Sequence, residues 1–396
     1  MSELTLQAAR VVTAEAVLTP GWLHIRDGRI AEVGEGVASA DADEFRDLGA
    51  VTLVPGFVDL HCHGGGGAAY ADGAAGARVA RAAHLAHGTT TTMASLVTDS
   101  HGQLLEQVRA LTPLVAEGEL GGIHLEGPWL SAARKGAHAE SLLRAPSLAE
   151  IDELLAAGEC TTSGAAVPAQ AIRMVTIAPE LPGALEAVDR FVAAGVLAAV
   201  GHTDADSETT ERAVDAGATV ATHLFNAMRP LHHREPGPVL PLMRDGRVAL
   251  ELIADGVHLD DRLPLWVEEV AGIDRVVYVT DAMSAAAFAD GDYRLGALDV
   301  EVRGGIAHVA GTDTIAGSTA TMDALFRSRA RAGHAVDLVA AAKVTATNPA
   351  RVAGWGDTGE IAVGKRADLV ALDEALSVAG VYLGGEVWRG PHLELR

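Results

Sequence analysis

The sequence predicts an α/β fold: a (β/α)8 TIM-like barrel with a small β domain built from both termini. Three observations point there. Short β-rich runs recur eight times along the 396 residues, Ala-rich helical stretches lie between several of them, and six of the eight runs carry a histidine or a carboxylate at or near their end. Strands that alternate with helices imply parallel βαβ units. Eight such units close a barrel whose active site lies at the C-terminal ends of the strands. A doubly wound sheet could also hold eight strands, but it would not need chemistry at the end of most of them.

In order, the runs are Phe57–His63, Thr89–Val97, Gly121–Glu126, Arg173–Pro179, Val196–Thr203, Thr219–Asn226, Ala249–His258 and Arg275–Asp281. Helical patterns cover Gly76–His87, Gln103–Ala116, Pro182–Ala194 and Ser207–Ala216. Residues 1–54 carry short alternating strands with turns, as in Trp22-Leu23-His24-Ile25-Arg26-Asp27-Gly28-Arg29-Ile30. The same style returns from Thr358, in Arg366-Ala367-Asp368-Leu369-Val370-Ala371-Leu372. Strand-rich segments flanking a barrel pair most simply with each other. The expected domains are therefore 1–54 plus 358–396 for the small β domain, and 55–357 for the catalytic barrel.

Composition narrows the function. At 49% apolar, the chain can bury one large barrel with an accessory domain, or two or three ordinary domains. No apolar run reaches membrane-spanning length, and the opening MSELTLQAAR has no basic flank followed by an apolar stretch. Two cysteines argue against a disulfide framework, so a cytoplasmic location is expected. The net charge of −23 disfavours nucleic acid and membrane as partners, because both need basic surface. An anionic small substrate would need local positive charge. The only lysines are Lys135, Lys343 and Lys365, so nearly all the cations are arginines.

His61-Cys62-His63 closes the first run. Side chains at i and i+2 of a strand point the same way, so the two imidazoles converge while Cys62 faces away. The glycines Gly64 to Gly67 would let the backbone pass close to whatever the histidines hold. They do not fit a dinucleotide fingerprint, which needs a βαβ unit and an acidic partner at set spacing. Two histidines one residue apart could be chance in a chain with sixteen.

Other candidates share the same barrel face. Glu126 follows an apolar strand, where a carboxylate is costly unless paired or metal-bound. With His202 and His223 it forms a one-carboxylate, two-imidazole set that leaves a coordination position open for water. Singly, each could be a satisfied polar residue at a barrel mouth. Together they point to a metal centre. His124 shares strand parity with Glu126 one layer deeper and reads as a hydrogen-bonded core histidine. His84, His87 and His101 fall on helix or loop positions and read as solvated. Asp281 ends the eighth run, opposite His61 and His63. A carboxylate beside metal-activated water can take its proton and return it to a leaving amine; the other reading of Asp281 is a cap for the next segment.

These motifs resemble the amidohydrolase superfamily and, within it, the N-acetylglucosamine-6-phosphate deacetylase family. The resemblance covers nearly the whole chain. It rests on His124-Leu125-Glu126-Gly127-Pro128-Trp129 with Lys135-Gly136-Ala137-His138, on Gly201-His202-Thr203, and on Thr222-His223-Leu224-Phe225-Asn226-Ala227-Met228 with Arg234-Glu235-Pro236-Gly237. Ala254-Asp255-Gly256-Val257-His258 and Val279-Thr280-Asp281-Ala282 complete it. The tail motifs Thr347-Asn348-Pro349-Ala350 and Val363-Gly364-Lys365-Arg366-Ala367-Asp368-Leu369 are common across the superfamily and specify no substrate.

The resemblance implies Glu126, His202 and His223 as primary metal ligands and Asp281 as proton shuttle. It places substrate among Ala137, His138, Asn226, Ala227, Arg234, Asp255, His258, Ile315, Ala316 and Gly317, with His138 also holding the oxyanion. Family members differ at the first-strand motif, and some work with one metal. Keeping His61 and His63 makes this chain look like the two-metal kind, with Glu126 as the bridge. The implied cofactor is a divalent metal, one or two per subunit: zinc in first place, with iron or another ion as alternatives, since N/O ligands accept several. Many two-metal amidohydrolases bridge through a carbamylated lysine on the fourth strand. Here no lysine lies between Lys135 and Lys343, so dihydroorotase-like and hydantoinase-like mechanisms are not expected.

The implied reaction is hydrolytic deacetylation of N-acetyl-D-glucosamine 6-phosphate to D-glucosamine 6-phosphate and acetate. No covalent intermediate is needed, and there is no G-x-S-x-G serine to support one. Arg234 is the expected phosphate anchor, because a guanidinium matches phosphate with paired donors. In the family this arginine reaches the neighbouring subunit's site, which implies a homodimer. Two rivals remain. One is a deacetylase of another N-acyl substrate, such as N-acetylgalactosamine 6-phosphate or a nucleobase. The other is a non-catalytic scaffold, which should have lost ligands or Asp281.

Overall fold

The computed structural model describes residues 3–38, 44–160 and 169–388. Residues 1–2, 39–43 and 389–396 of the segments expected in the β domain lie outside the described residues. Eight strands follow one another in chain order around one sheet: β1 (Phe57–Asp59), β2 (Thr89–Val97), β3 (Gly122–Glu126), β4 (Ile172–Ile177), β5 (Leu197–Val200), β6 (Ala218–Ala221), β7 (Ala249–Leu252) and β8 (Val276–Tyr278). Pairing is parallel at every step from β2 to β8. Past the strand ends Cys62 and Ala282 form a parallel bridge, and Asp281 N–H donates to the His61 carbonyl at 2.8 Å. That contact joins the first and last strands and closes the barrel.

Every predicted run contains an observed strand, but six of the eight extend past its C-terminal end, and three show why. β5 stops before His202 and β6 before His223, because these residues take left-handed backbone (φ 46° and 27°) and leave the ladder. β7 stops before Asp255, whose Oδ1 accepts the N–H groups of Val257 and His258 and folds the chain into a turn.

The helices between strands bury one face each. In His101–Ala116 the buried residues are Leu104, Val108, Leu111 and Leu114, a helical period. Ser100 caps that helix and Asp206 caps Ser207–Asp215, each side chain accepting a backbone N–H three residues on. Gly195 and Gly217 (φ 75° and 106°) then turn the chain from helix into β5 and β6, a conformation side chains resist. One histidine reading is corrected: His84 is buried, on the inward face of helix Gly73–Ala86. His101 does meet solvent and pairs with Glu153 at 2.8 Å.

Both termini build the β domain. Leu369–Leu372 pairs antiparallel with Thr52–Pro55 in a six-stranded sheet, beside a four-stranded sheet that includes Glu3–Ala8 and Gly21–Arg26. Leu6, Leu23, Ile25, Leu53 and Leu369 share its core. The alternation in Gly21–Arg26 decides which side chains enter, with Leu23 and Ile25 buried between more exposed neighbours. The residues of the site below all fall in one compact unit, Leu60–Arg81 with Thr92–Ala320. That unit also carries a three-stranded antiparallel sheet, Gly291–Leu295, Leu298–Arg303 and Ile306–Val309.

Candidate metal centre and substrate cavity

Strand parity brings His61 and His63 together, with their Nε2 atoms 3.1 Å apart. Cys62 turns away, its Sγ 3.7 Å from the Gly64 carbonyl. The first glycine of the run also has a reason within the chain itself. Gly64–Gly65 pairs with Ala68–Ala69 in a tight hairpin, and a Cβ on Gly64 would sit 2.4 Å from the Ala68 carbonyl. The backbone approaches its own return strand, and that is what excludes a side chain.

Glu126 stands at the centre. Its Oε1 lies 3.1 Å from Nε2 of both His202 and His223, and its Oε2 lies 3.2 Å from Nε2 of His63 and 3.4 Å from Nε2 of His138. Asp281 Oδ1 reaches His63 at 3.1 Å and His61 at 3.3 Å. Donor atoms of His61, His63, Glu126 and Asp281 lie within 4.8 Å of one another, as do those of Glu126, His138 and His202. All of these residues are buried. His202, His223 and Asp281 all have positive φ, a strained conformation that collects at functional sites.

The donor set fits a divalent ion. His63 Nδ1 faces the Ser95 carbonyl and His202 Nδ1 faces the Arg134 carbonyl. Each Nδ1 therefore carries the ring proton, which leaves the Nε2 lone pairs aimed inward. The Nε2 atoms of His202 and His223 lie 3.1 Å apart, a spacing that suits two ligands of one cation. The electrostatics agree. Burial would lower His61, but the Glu126 and Asp281 carboxylates hold it well above its ordinary value. His63 is raised to about 9 against its burial, by hydrogen bonds to Asp281 and Glu126. The cluster demands positive charge, which a bound cation supplies in place of protons.

His138 behaves differently. Burial pushes it down to about 4, so it is neutral. Thr98 N–H points at its Nδ1, which makes Nδ1 the acceptor and leaves the proton on Nε2, facing the centre. His124 lies a layer deeper between Ser95 Oγ (2.9 Å) and Thr176 Oγ1 (2.8 Å), a hydrogen-bonded core histidine as expected.

A cavity of about 400 Å³ opens beside the centre, within the range of small-molecule sites. His63, Glu126, His202, His223 and Asp281 line it, with the sequence-predicted Ala137, His138, Asn226, Ala227, His258, Ile315 and Gly317. Asn226 Nδ2 is a buried donor with no partner among the described residues. Asp255 pairs with His258 at 2.8 Å, and Ala316 is buried in an apolar cluster with Met283 and Leu295. Arg234 is not among the lining residues: it is exposed and donates to His233. The sequence reading missed Arg134, which lines the cavity and pairs with Asp204. It also missed Glu251, on β7 and fully buried, 3.5 Å from His61 Nδ1. A lone carboxylate in Ala249-Leu250-Glu251-Leu252 is the signal that picked out Glu126, so Glu251 was findable.

Residues 52–388 match the amidohydrolase family. The chain is 38% identical to N-acetylglucosamine-6-phosphate deacetylase of Bos taurus over 88% of its own length and 86% of the relative's. It is 34% identical to N-acetylgalactosamine-6-phosphate deacetylase of Escherichia coli over 96% and 98%. A Mycobacterium smegmatis N-acetyl-D-glucosamine-6-phosphate deacetylase variant, solved in complex with N-acetyl-D-glucosamine-6-phosphate, superposes with a TM-score of 0.91. The pair are 48% identical, covering 98% of this chain and 99% of that one.

Proposed function

The chain belongs to the amidohydrolase family, and we propose that it hydrolyses N-acetyl-D-glucosamine 6-phosphate to D-glucosamine 6-phosphate and acetate. The observation that carries this reading is Glu126 held between the His202–His223 pair and His63, with Asp281 and the neutral His138 facing the same cavity. Glu126, His202 and His223 would hold one divalent ion, and His61 with His63 would hold another. Zinc is the ion we favour over iron. A bound ion supplies Lewis acidity, lowering the pKa of water and polarising the acetamide carbonyl.

The chain's own residues do the rest. Asp281 accepts the proton of the attacking water, then delivers it to the amide nitrogen as the C–N bond breaks. His138 donates its Nε2–H to the oxyanion of the tetrahedral intermediate. Ala137, Asn226, Ala227, His258 and the Ile315-Ala316-Gly317 segment position the sugar, with Asp255 orienting His258 and Arg234 meeting the phosphate.

We further read the enzyme as a cytoplasmic homodimer. Among the described residues no helix is long and apolar enough to cross a membrane. Leu231, Val257 and Trp266 are exposed apolar side chains suited to a subunit interface. Acetate release from N-acetyl hexosamines, with and without the 6-phosphate, tests the reaction. The glucosamine phosphate should be the best substrate. Faster turnover of the galactosamine epimer would move the enzyme beside its Escherichia coli relative, and no release from any phosphosugar would overturn the reading.

A further inference from the structure

Glu251 is a fully buried carboxylate that the mechanism above does not use. Its Oε2 lies 3.5 Å from His61 Nδ1 and 3.4 Å from the His223 N–H, and its Oε1 has no hydrogen-bond partner among the described residues. His61 thus lies between two sets of carboxylates. Its Nε2 faces Glu126 (3.4 Å) and Asp281 (3.3 Å), while its Nδ1 faces Glu251. The other metal-facing imidazoles differ. His63 and His202 turn Nδ1 to backbone carbonyls, while neither His61 Nδ1 nor His223 Nδ1 makes a hydrogen bond among the described residues; the 3.5 Å between His61 Nδ1 and Glu251 Oε2 is an ion-pair separation. His61 is the one with a charged acceptor behind it.

A carboxylate behind a ligating histidine fixes the ring tautomer, leaves the far nitrogen free for the metal and makes it more basic. Charge gives a second, independent argument. Glu126, Asp281 and Glu251 place three buried carboxylates around the centre, and no lysine or arginine pairs with any of them in the ion pairs described. One divalent ion leaves that group net negative. A second ion on the His61 side reverses the sign.

We infer that Glu251 is a positioning residue that holds the Nδ1–H tautomer of His61 and thereby secures the second divalent ion at His61 and His63. This role rests on the two-ion reading of the site. The test loads purified wild-type protein, Glu251→Gln and Glu251→Leu with zinc, then measures bound zinc per chain by elemental analysis during chelator competition. Thermal unfolding of each protein is followed with and without metal.

Wild type should hold two ions. Both variants should keep the tighter ion and bind the weaker one about 10- to 100-fold less well, the range for losing such a supporting group. Without metal Glu251→Gln should unfold close to wild type, because it keeps the shape of the side chain. The gain in Tm on adding zinc should shrink. Unchanged affinity for the second ion in both variants would overturn the role of Glu251 alone. A lower metal-free Tm with unchanged zinc binding would make Glu251 a fold residue and also overturn it. A wild type that saturates at one ion would overturn the two-ion reading itself, and this role with it.

Discussion

His258 lines the cavity and Asp255 stands behind it, Nδ1 to Oδ2, at 2.8 Å. Burial would lower the imidazole pKa, but the hydrogen bond and charge of Asp255 raise it above 6.5, while Asp255 itself is lowered. A raised histidine stays charged to higher pH. Its pairing stabilises fully below the unfolded value and is lost as pH rises through the folded one. The same proton presents positive charge to an anionic substrate. Asp255→Asn removes the raising partner, so the alkaline fall in kcat/KM for the phosphorylated sugar should move to lower pH. The unphosphorylated sugar should show no such displacement. A pH–rate profile that stays put would remove His258 from phosphate recognition. At this scale the sequence is informative where strand parity applies, which pairs His61 with His63, and where polar residues close apolar runs, which is why Glu126, His202, His223 and Asp281 could be picked out with them. It is uninformative where the backbone turns: nothing in Gly201-His202-Thr203 marks His202 as left-handed. Glu251 escaped notice because its strand otherwise reads as plain core.

The elements that carry these residues were legible through period and punctuation. The helix Ser207–Asp215, which links β5 to β6, shows how. Asp206 accepts the Thr209 N–H at 2.8 Å, and Gly217 ends the turn that follows. Asp206→Ala should cost about 0.5–2 kcal/mol in denaturant unfolding, with kcat unchanged, because the cap faces solvent and not the cavity. That backbone hydrogen bond lowers the Asp206 pKa. Its contribution is therefore present above the unfolded carboxylate pKa and disappears as pH falls through the folded one, so wild type and variant should converge in acid. A fall in kcat would mean instead that the Thr203–Asp206 loop shapes the site. The sheet from Gly291 to Val309 went unread, although Leu298-Asp299-Val300-Glu301-Val302-Arg303 alternates with its valines buried. Its strands follow the eighth run, where the barrel rhythm has ended. It nevertheless reaches the cavity: Leu295 and the Asp313-Thr314-Ile315 segment beyond it form part of the wall.

At the scale of the whole molecule, a chain at −23 has to attract a phosphomonoester. Arg234 is the guanidinium assigned to that task, yet it is exposed in a loop and does not line the cavity of its own chain. The two facts agree if Arg234 completes the site of a second copy. Arg234→Ala should then cost roughly 2–5 kcal/mol on the phosphorylated sugar, at least tenfold in kcat/KM, with little change on the unphosphorylated one. The oligomer supplies a sharper test. Asp281→Asn disables the subunit that carries it, whereas a trans-acting Arg234→Ala disables the partner's site. In a mixed dimer the Arg234→Ala subunit keeps Asp281 and receives an intact arginine from its neighbour, so one of the two sites is whole. Co-expressed variants that pair at random form mixed dimers about half the time, giving roughly a quarter of wild-type activity in a symmetric dimer. If Arg234 acted within its own chain, each mixed subunit would keep its own defect and no activity would return. Recovery near a quarter would therefore establish both the shared site and the dimer, and its absence would overturn the action of Arg234 on a second copy.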